Sequence, residues 1–561
     1  MSIDRILAKP LQETLTGDLR PALLVFSGAV GLMLLIVCFT VANLMLARAT
    51  SRQREIAVRV ALGAPRRRIV GQLLTESLLV SLLGGGMGLG LGLIAVAALN
   101  STRRTALAGL PEVPMDWATA AFTLAVTVLA GLVFGLAPSL GLQGFGVHQA
   151  LPGESLSASS KAGMPRIRRG LVVAQLGFSL TLLIGAGLLA KSFYQLRRTN
   201  PGYDPANVFT ARINLAGPSY GSVDRQKGFI EKLLQEVGRL PNVEAASVGP
   251  IPPGISGNIG PFRIDNQQLP PMEHAPSRAL MDVSPDYFRV MGVPLLEGRL
   301  LAATDSANAP LVLVANQAFA QKFFPGSSPV GHRVSTIQPD PFDPGWAEIV
   351  GVVGDIRQTG LDQNVIPTLY LSFAQERLPT SLRRANLLIR VSHDPASMDA
   401  PLEKLAASMD RDQPVFDAKT MEQRLADSLG SRRFNAALTG AFALIAAFLA
   451  SIGVYGVMSY FVTLRTSEIG IRLALGARRG QVLGLILREG VLLALIGAGL
   501  GVGGALGLSR YLAALLYGVG TRDPETFVTA VLALVGAVMA ACVIPGRRAA
   551  QVDPARALRH D

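Results

Sequence analysis

Glu55 and Arg59 stand four residues apart with the acid first, and the same pair returns as Glu468 and Arg472, 413 positions further along the chain. On a helix this spacing makes an ion pair worth about 0.2–0.5 kcal/mol, too weak to hold a fold but enough to fix two charges on one face. The surrounding residues repeat as well. EIAVRVALGA runs from Glu55 to Ala64 and EIGIRLALGA from Glu468 to Ala477, identical at seven of ten positions. Gly63 and Gly476 fall where a helix would end and another surface could approach closely. The pattern suits a short contact helix at the mouth of a pair of membrane spans, pressed by a partner protein. A solvated connector with ordinary Arg anchors is the plainer alternative. Recurrence of the pattern in both copies, while most flanking loop residues differ, favours the contact helix.

Other chemistry is sparse. His148, His274, His332, His393 and His560 stand singly, without metal-ligand spacing. There is no GxxxxGK[ST] phosphate loop, and no nucleophile elbow or His-paired serine or cysteine stands out. No catalytic residue, cofactor site or metal site is therefore expected, and the chain is read as no enzyme. The glycine run Gly84, Gly85, Gly86, Gly88, Gly90 and Gly92 resembles a dinucleotide fingerprint but lies inside an apolar run without a preceding strand. It is read, with Gly497, Gly499, Gly501 and Gly503, as helix packing faces. Glu76, Arg488 and Glu489 lie near the ends of apolar runs, and deeper ionisable residues are almost absent. A transmembrane ion relay has no obvious carriers, which argues against a secondary transporter or channel. Cys38 and Cys542 fall within apolar runs and imply no disulfide framework.

The elements that position the repeated pairs are membrane spans. Half of the 561 residues are apolar, only 16% are charged and mean hydropathy is positive. Seven apolar runs are long enough to cross about 30 Å of hydrocarbon. They lie near 22–47, 73–99, 117–141, 171–190, 436–463, 485–507 and 526–545. The net charge of +13 is concentrated in segments 48–68, 142–169, 464–481 and 546–561, which hold nineteen Arg and Lys against five acids. The intervening connectors 100–116 and 508–525 are each neutral. This alternation is the positive-inside pattern, with residues 191–435 and the N-terminus outside, and it argues against a nucleic-acid reading of the charge. Gly71, Glu76, Gly84, Gly86, Gly88 and Gly90 align with Gly484, Glu489, Gly497, Gly499, Gly501 and Gly503 at one offset, so the whole module is duplicated. The second copy has four spans and the first only three. The expectation is a missing first span and first external domain, with residues 1–20 as its remnant; a genuine seven-span protein is the alternative.

Residues 200–425 differ in texture. Strand-like runs at Val208–Leu215, Val243–Val248, Leu311–Val314, Ile349–Val353 and Leu387–Val391 alternate with helical stretches near 224–239 and Asn316–Phe324, an α+β pattern. Pro250–Pro253 and Pro339–Pro344 mark loops. Helices at 187–198 and 421–440 are expected to continue from the spans as a stalk.

The runs RGLVVAQLGFSLTLLIGAGLLAKSF (169–193), NPGYDPANVFTARINL (200–215), SPDYFRVMGVPLLEGR (284–299), VANQAFAQKFFPGSSPVGHRV (314–334), EIVGVVGDIRQTGLDQ (348–363) and DPARALR (553–559), with both EIxxRxALGA segments, resemble the FtsX-like and MacB-like permeases of ABC transport systems. Within that family they are similar to the duplicated permeases known from Acidobacteria. The resemblance implies an α-helical polytopic membrane protein with tandem FtsX-like modules and an inserted α+β periplasmic core domain, in the bacterial inner membrane. The implied domains are the remnant 1–20, a first three-span module at 21–150, a linker and first span at 151–199, a periplasmic core at 200–425 and a second three-span module at 426–561. It also implies that Glu55, Arg59, Gly63 and Ala64, with Glu468, Arg472, Gly476 and Ala477, form coupling helices for an ABC ATPase acting in trans. Membrane lipid, a second permease copy or a periplasmic protein would be further partners, and nucleic acid would not. The expected function is the permease subunit of an ABC system for efflux, extraction or mechanotransmission. An envelope sensor or scaffold that works without an ATPase is the alternative.

Overall fold

A computed structural model describes residues 20–51, 65–106, 116–140, 158–215, 217–254, 258–265, 277–336, 345–377 and 382–551. Four helices come first: α1 (Arg20–Ser51), α2 (Arg66–Ala106), α3 (Trp117–Leu140) and α4 (Ala158–Arg198). Next come strand β1 (Val208–Asn214), helix α5 (Val223–Val237), strands β2 (Val243–Val248), β3 (Asn258–Ile264) and β4 (Ser277–Val283), and helix α6 (Tyr287–Met291). Strands β5 (Leu295–Gly298) and β6 (Val312–Asn316), helix α7 (Gln317–Phe323), and strands β7 (Arg333–Thr336), β8 (Trp346–Val353), β9 (Thr368–Ser372) and β10 (Arg384–Val391) follow. Helix α8 (Asp399–Met409), strand β11 (Val415–Thr420) and helix α9 (Met421–Ser428) complete the insertion. The chain ends in α10 (Gly430–Leu464), α11 (Thr466–Ala474), α12 (Arg479–Leu512) and α13 (Pro524–Ala550). Two compact units result, one of Met1–Phe193 with Asn435–Asp561 and one of Tyr194–Phe434.

In the membrane unit, six helices are apolar and long enough to span a bilayer among the described residues. The seventh expected span falls on α3, 24 residues without a charged side chain. At 1.5 Å per residue the 32 residues of α1 reach about 48 Å, more than the hydrocarbon needs. The core is organised around α4. Val172, Leu176, Leu180, Ile184 and Leu188 repeat every four residues and are all essentially inaccessible. They meet Val454 and Met458 of α10, Ile486, Leu493 and Ala498 of α12, and Leu534 and Val538 of α13. Gly497 and Gly501 let α12 approach α4 closely: a Cβ at Gly497 would lie 2.6 Å from Leu176 Cβ, and one at Gly501 would lie 2.7 Å from the Gly177 carbonyl oxygen.

The expectation that each whole glycine run is a packing face needs correction. Among the described residues, Gly499 and Gly503 have no neighbour within 4 Å of a built Cβ, and neither do Gly84, Gly86, Gly88 and Gly90. Residues two apart on a 3.6-residue helix point to different sides, so a run of alternate glycines cannot all face one partner. Gly85 does pack, against Thr127 of α3.

The inserted unit holds two sheets. One is antiparallel, ordered β11-β1-β10-β2. It is covered by α5 and α8 through a core that includes Phe209, Ile230, Leu233, Leu387 and Leu402. The other runs β5-β8-β6-β9-β4-β3-β7, and an additional β7–β8 pairing curls it back on itself. Strand β4 serves two cores: Ala279, Met281 and Val283 enter one, and Leu280 on the opposite face, between Arg278 and Asp282, enters another with Phe262, Leu313 and Phe319. The expected strands are all present, and Val243–Val248 coincides with β2. The expected helix at Asn316–Phe324 is α7, with Asn316 outside it as the cap: its Oδ1 accepts the Phe319 N–H at 3.0 Å. The predicted loop at Pro250–Pro253 is irregular backbone, whereas 339–344 lies outside the described residues. Helix α4 runs unbroken to Arg198, but the helix expected over 421–440 divides at Leu429 into α9 and α10.

Candidate coupling site

Helix α11 carries the second copy of the repeated segment. The expected ion pair is present: Arg472 Nη2 lies 2.6 Å from Glu468 Oε1, and Arg465 Nε approaches Glu468 Oε2 at 3.6 Å. All three side chains are about half exposed, so the triad orders the helix surface without adding much stability. Beyond the helix, Gly476 adopts φ +93°, donates to Leu473 O, and is followed by Ala477, which donates to Arg472 O at 2.9 Å. These are the two bonds of a Schellman stop, and they need a residue free to take a left-handed conformation. Apolar residues divide between two faces. Ile469 is 1% exposed and joins the core of the membrane unit, while Ile471 and Leu475 are 45% and 83% exposed. The helix is thus pinned on one side and presents apolar atoms on the other. Glu55, Arg59, Gly63 and Ala64 lie outside the described residues, as does the 1–20 segment apart from Arg20.

Next to α11, the basic end of α4 is tied to its neighbours. The Arg168 guanidinium, buried and without a hydrogen bond at Nε or Nη2, stacks 4.1 Å from the Tyr460 ring centre. Arg169 pairs with Glu489 of α12 at 2.8 Å, and Arg465 lies over Phe461 at 4.4 Å. These aromatic contacts put the root of α4 and the entry to α11 on the same two rings of α10. Sequence reading passed over Tyr460 and Phe461, which look like ordinary span residues.

A second tie holds the opposite end of α4. Lys191 Nζ lies 2.7 Å from both Asp523 Oδ2 and Glu525 Oε2, and Ser192 Oγ accepts the Tyr517 N–H at 2.8 Å. Asp523 also caps α13, accepting from the Thr526 N–H and hydroxyl at 3.0 and 2.6 Å. With Lys191 as the largest cause, its carboxyl is held down to about 2. The sequence had shown Asp523 and Glu525 only as charges that neutralise a connector.

Between the two copies runs a polar seam. Gln175 Nε2 donates to Thr40 Oγ1 and to Leu449 O, each at 2.8 Å, and Asn43 Nδ2 donates to Gly453 O at 3.2 Å. Phe39 and Phe178 stack nearby with centres 5.9 Å apart. Helix α1 of the first copy is thereby bonded to α4 and α10 of the second.

The inserted unit has one buried charged cluster of note. Asp282 on β4 lies against Glu376, with Arg278 on the same strand face and Lys227 nearby. Burial, then the Glu376 carboxylate, raises the Asp282 carboxyl well above the usual range. Burial lowers Arg278 to about 10, with Asp282 opposing. Among the described residues no group of three His, Cys, Asp or Glu could hold a metal.

The model of the FtsX-like permease C-terminal family matches residues 27–144 and again 440–554. That of the MacB-like periplasmic core domain matches 170–407. The macrolide export ATP-binding/permease protein MacB of Aggregatibacter actinomycetemcomitans is 30% identical over 232 residues, 40% of this chain and 34% of that protein. MacB of Sodalis glossinidius is 28% identical over 365 residues, 62% of this chain and 53% of that protein. The uncharacterized ABC transporter permease YknZ of Bacillus subtilis is 27% identical over 284 residues, 50% of this chain and 69% of that protein. The chain thus spans between a third and about half of the two MacB proteins it matches.

Proposed function

We propose that the chain, whose membrane unit matches the FtsX-like permease family twice and whose inserted unit matches the MacB-like periplasmic core domain, is the permease subunit of an ABC transport system. In this reading a separate ATPase docks on α11 and its counterpart at 55–64, and nucleotide-driven closure is carried to the periplasmic domain for efflux or extraction of cargo. The relatives named for macrolide export make an apolar export cargo the first class to examine.

One observation carries the proposal. Helix α11 buries Ile469 in the membrane unit and leaves Ile471 and Leu475 in the open, followed by a glycine-stopped turn. Exposed apolar residues on a short, rigidly ended helix are costly in water and useful against a groove. Purification of the tagged chain from its native membranes should bring with it vanadate-sensitive ATP hydrolysis, and an Ile471→Asp, Leu475→Asp variant should lose at least 90% of it while inserting normally. Equal hydrolysis with both preparations, or none with either, would remove α11 from the account.

A further inference from the structure

Where α1 of the first copy crosses the second, the membrane unit leaves a cavity of about 290 Å³. Gly28 and Leu32 of α1, Leu182 and Gly185 of α4, and Leu508 and Tyr511 of α12 form much of its wall. These residues lie in the halves of their spans that the positive-inside pattern places outward, so the cavity sits at the level of the outer leaflet. Only Thr181, Thr439 and Tyr511 bring side-chain polar atoms to it, and both threonine hydroxyls are spent on backbone. Thr181 Oγ1 donates to Gly501 O at 3.1 Å, and Thr439 Oγ1 to Asn435 O at 2.8 Å. Water needs about two to four polar partners to stay in such a space, so the cavity suits an alkyl chain. Its mouth faces lipid: Gly28 is exposed, as are Leu508 and Tyr511 at 40% and 43%. That mouth also carries charge. The Arg510 guanidinium lies 4.8 Å from the centre of the Tyr511 ring, and its Nη2 donates to the Tyr511 hydroxyl at 2.9 Å. These contacts leave most of its N–H donors unused, and the acids of the following connector, Asp523 and Glu525, are taken by Lys191.

We propose that this cavity holds one acyl chain of an anionic phospholipid, phosphatidylglycerol, from the outer leaflet, with the lipid phosphate at Arg510. The two ends of the site state what fits: one is dry and apolar, the other cationic. A guanidinium can bind two phosphate oxygens at once. Tyr511 joins the ends, because it lines the cavity while its hydroxyl holds Arg510. A further helix does not fit, since with side chains a helix is about 10–12 Å across and the cavity is only 290 Å³. The wall comes from both copies, so a seated chain ties α1 to α4 and α12 at the outer leaflet, as the Gln175 and Asn43 hydrogen bonds tie α1 to the second copy further inward. The assignment needs no ATPase and stands apart from the reading of α11.

The test titrates lipid into the full chain, delipidated in detergent, and reads bound lipid by native mass spectrometry and the melting temperature in parallel. Dioleoyl phosphatidylglycerol should bind saturably and raise the melting temperature, and phosphatidylcholine with the same chains should bind at least fivefold more weakly. Glycerophosphoglycerol, the head without chains, should do neither. Gly28→Leu with Gly185→Leu directs side chains into the cavity, where a built Cβ on Gly28 meets nothing within 4 Å and one on Gly185 only Leu512 Cδ1 at 4.0 Å. This pair should weaken phosphatidylglycerol binding about tenfold. Gly507→Leu, equally open but outside the cavity wall, should leave binding unchanged. Arg510→Gln should keep chain binding and lose the preference for phosphatidylglycerol. Should the filled variant fail to fold, the lipid preference of the parent and its loss in Arg510→Gln decide the matter. The proposal is overturned by equal binding of the two lipids to the parent, by stabilisation with the head alone, by an Arg510→Gln variant that keeps the preference, or by a folded cavity-filled variant that binds phosphatidylglycerol as the parent does.

Discussion

Single residues in this chain separate into those that hold position and those that meet a partner, and substitutions distinguish them. The Glu468–Arg472 pair is about half exposed, so Glu468→Arg should change thermal stability by less than about 0.5 kcal/mol. If co-purifying ATP hydrolysis falls at the same time, the charge acts on a partner and not on the fold. Asp282 belongs to the first class. Its folded carboxyl holds a proton more tightly than the ordinary value of 3.8, so the native state binds more protons than the unfolded chain above that pH. Stability is then fully present in acid and declines as pH rises from about 4 toward the raised value. Thermal unfolding followed by Trp346 fluorescence in a Trp117→Phe background should show a melting temperature that falls with rising pH in the parent and a flatter profile in Asp282→Asn. A parent profile that rises from pH 4 to 7 would contradict the assignment.

At the level of elements, the ends of helices matter more than their middles. Gly476 sits at φ +93° with open space around it, so Gly476→Val meets no clash and suffers only the left-handed penalty of about 1–2 kcal/mol. Hydrogen exchange at the Gly476 and Ala477 positions should quicken roughly 5- to 30-fold in that variant, while the α12 interior keeps its protection. Replacing Gln175 by Ala deletes one hydrogen bond between the copies, to Thr40, and one within the second copy, to Leu449. Averages near 0.6 kcal/mol per membrane hydrogen bond give an expected loss of about 1 kcal/mol in detergent-titration unfolding. Much of this level was legible in the sequence: the i, i+4 charge pair and following glycine gave the helix and its stop, and run length gave the spans. What escaped was any feature decided by distant partners. Ile469 and Ile471 are chemically identical, yet one is buried and the other open, because only the tertiary packing says which way α11 is rolled. Lys191 and Asp523 are 332 residues apart, and connector charge balance could not reveal their bond. Strand order in the larger sheet was equally hidden, since its pairings cross long loops.

For the whole molecule, the structure joins a duplicated membrane module to a two-sheet periplasmic insertion. Within the membrane unit α4 is fixed at both ends, by Arg168 and Arg169 near α11 and by Lys191 near the start of α13. A helix held in this way is suited to carry a displacement along its axis, because neither end can yield independently. If a separate ATPase drives the chain as proposed, Lys191→Met leaves its binding intact and lowers its coupling to periplasmic movement, read as an altered protease-cleavage pattern of the 200–425 region on ATP addition. The central claim, that a separate ATPase works on the exposed side of α11, is tested most directly by photo-crosslinking in the native membrane with benzoylphenylalanine at position 475, and at position 295 of the periplasmic domain as control. Peptides of an ABC ATPase carrying a phosphate loop, recovered from position 475 and not from 295, are the predicted result; adducts at 475 that contain no such ATPase, or ATPase peptides captured from 295, would contradict it.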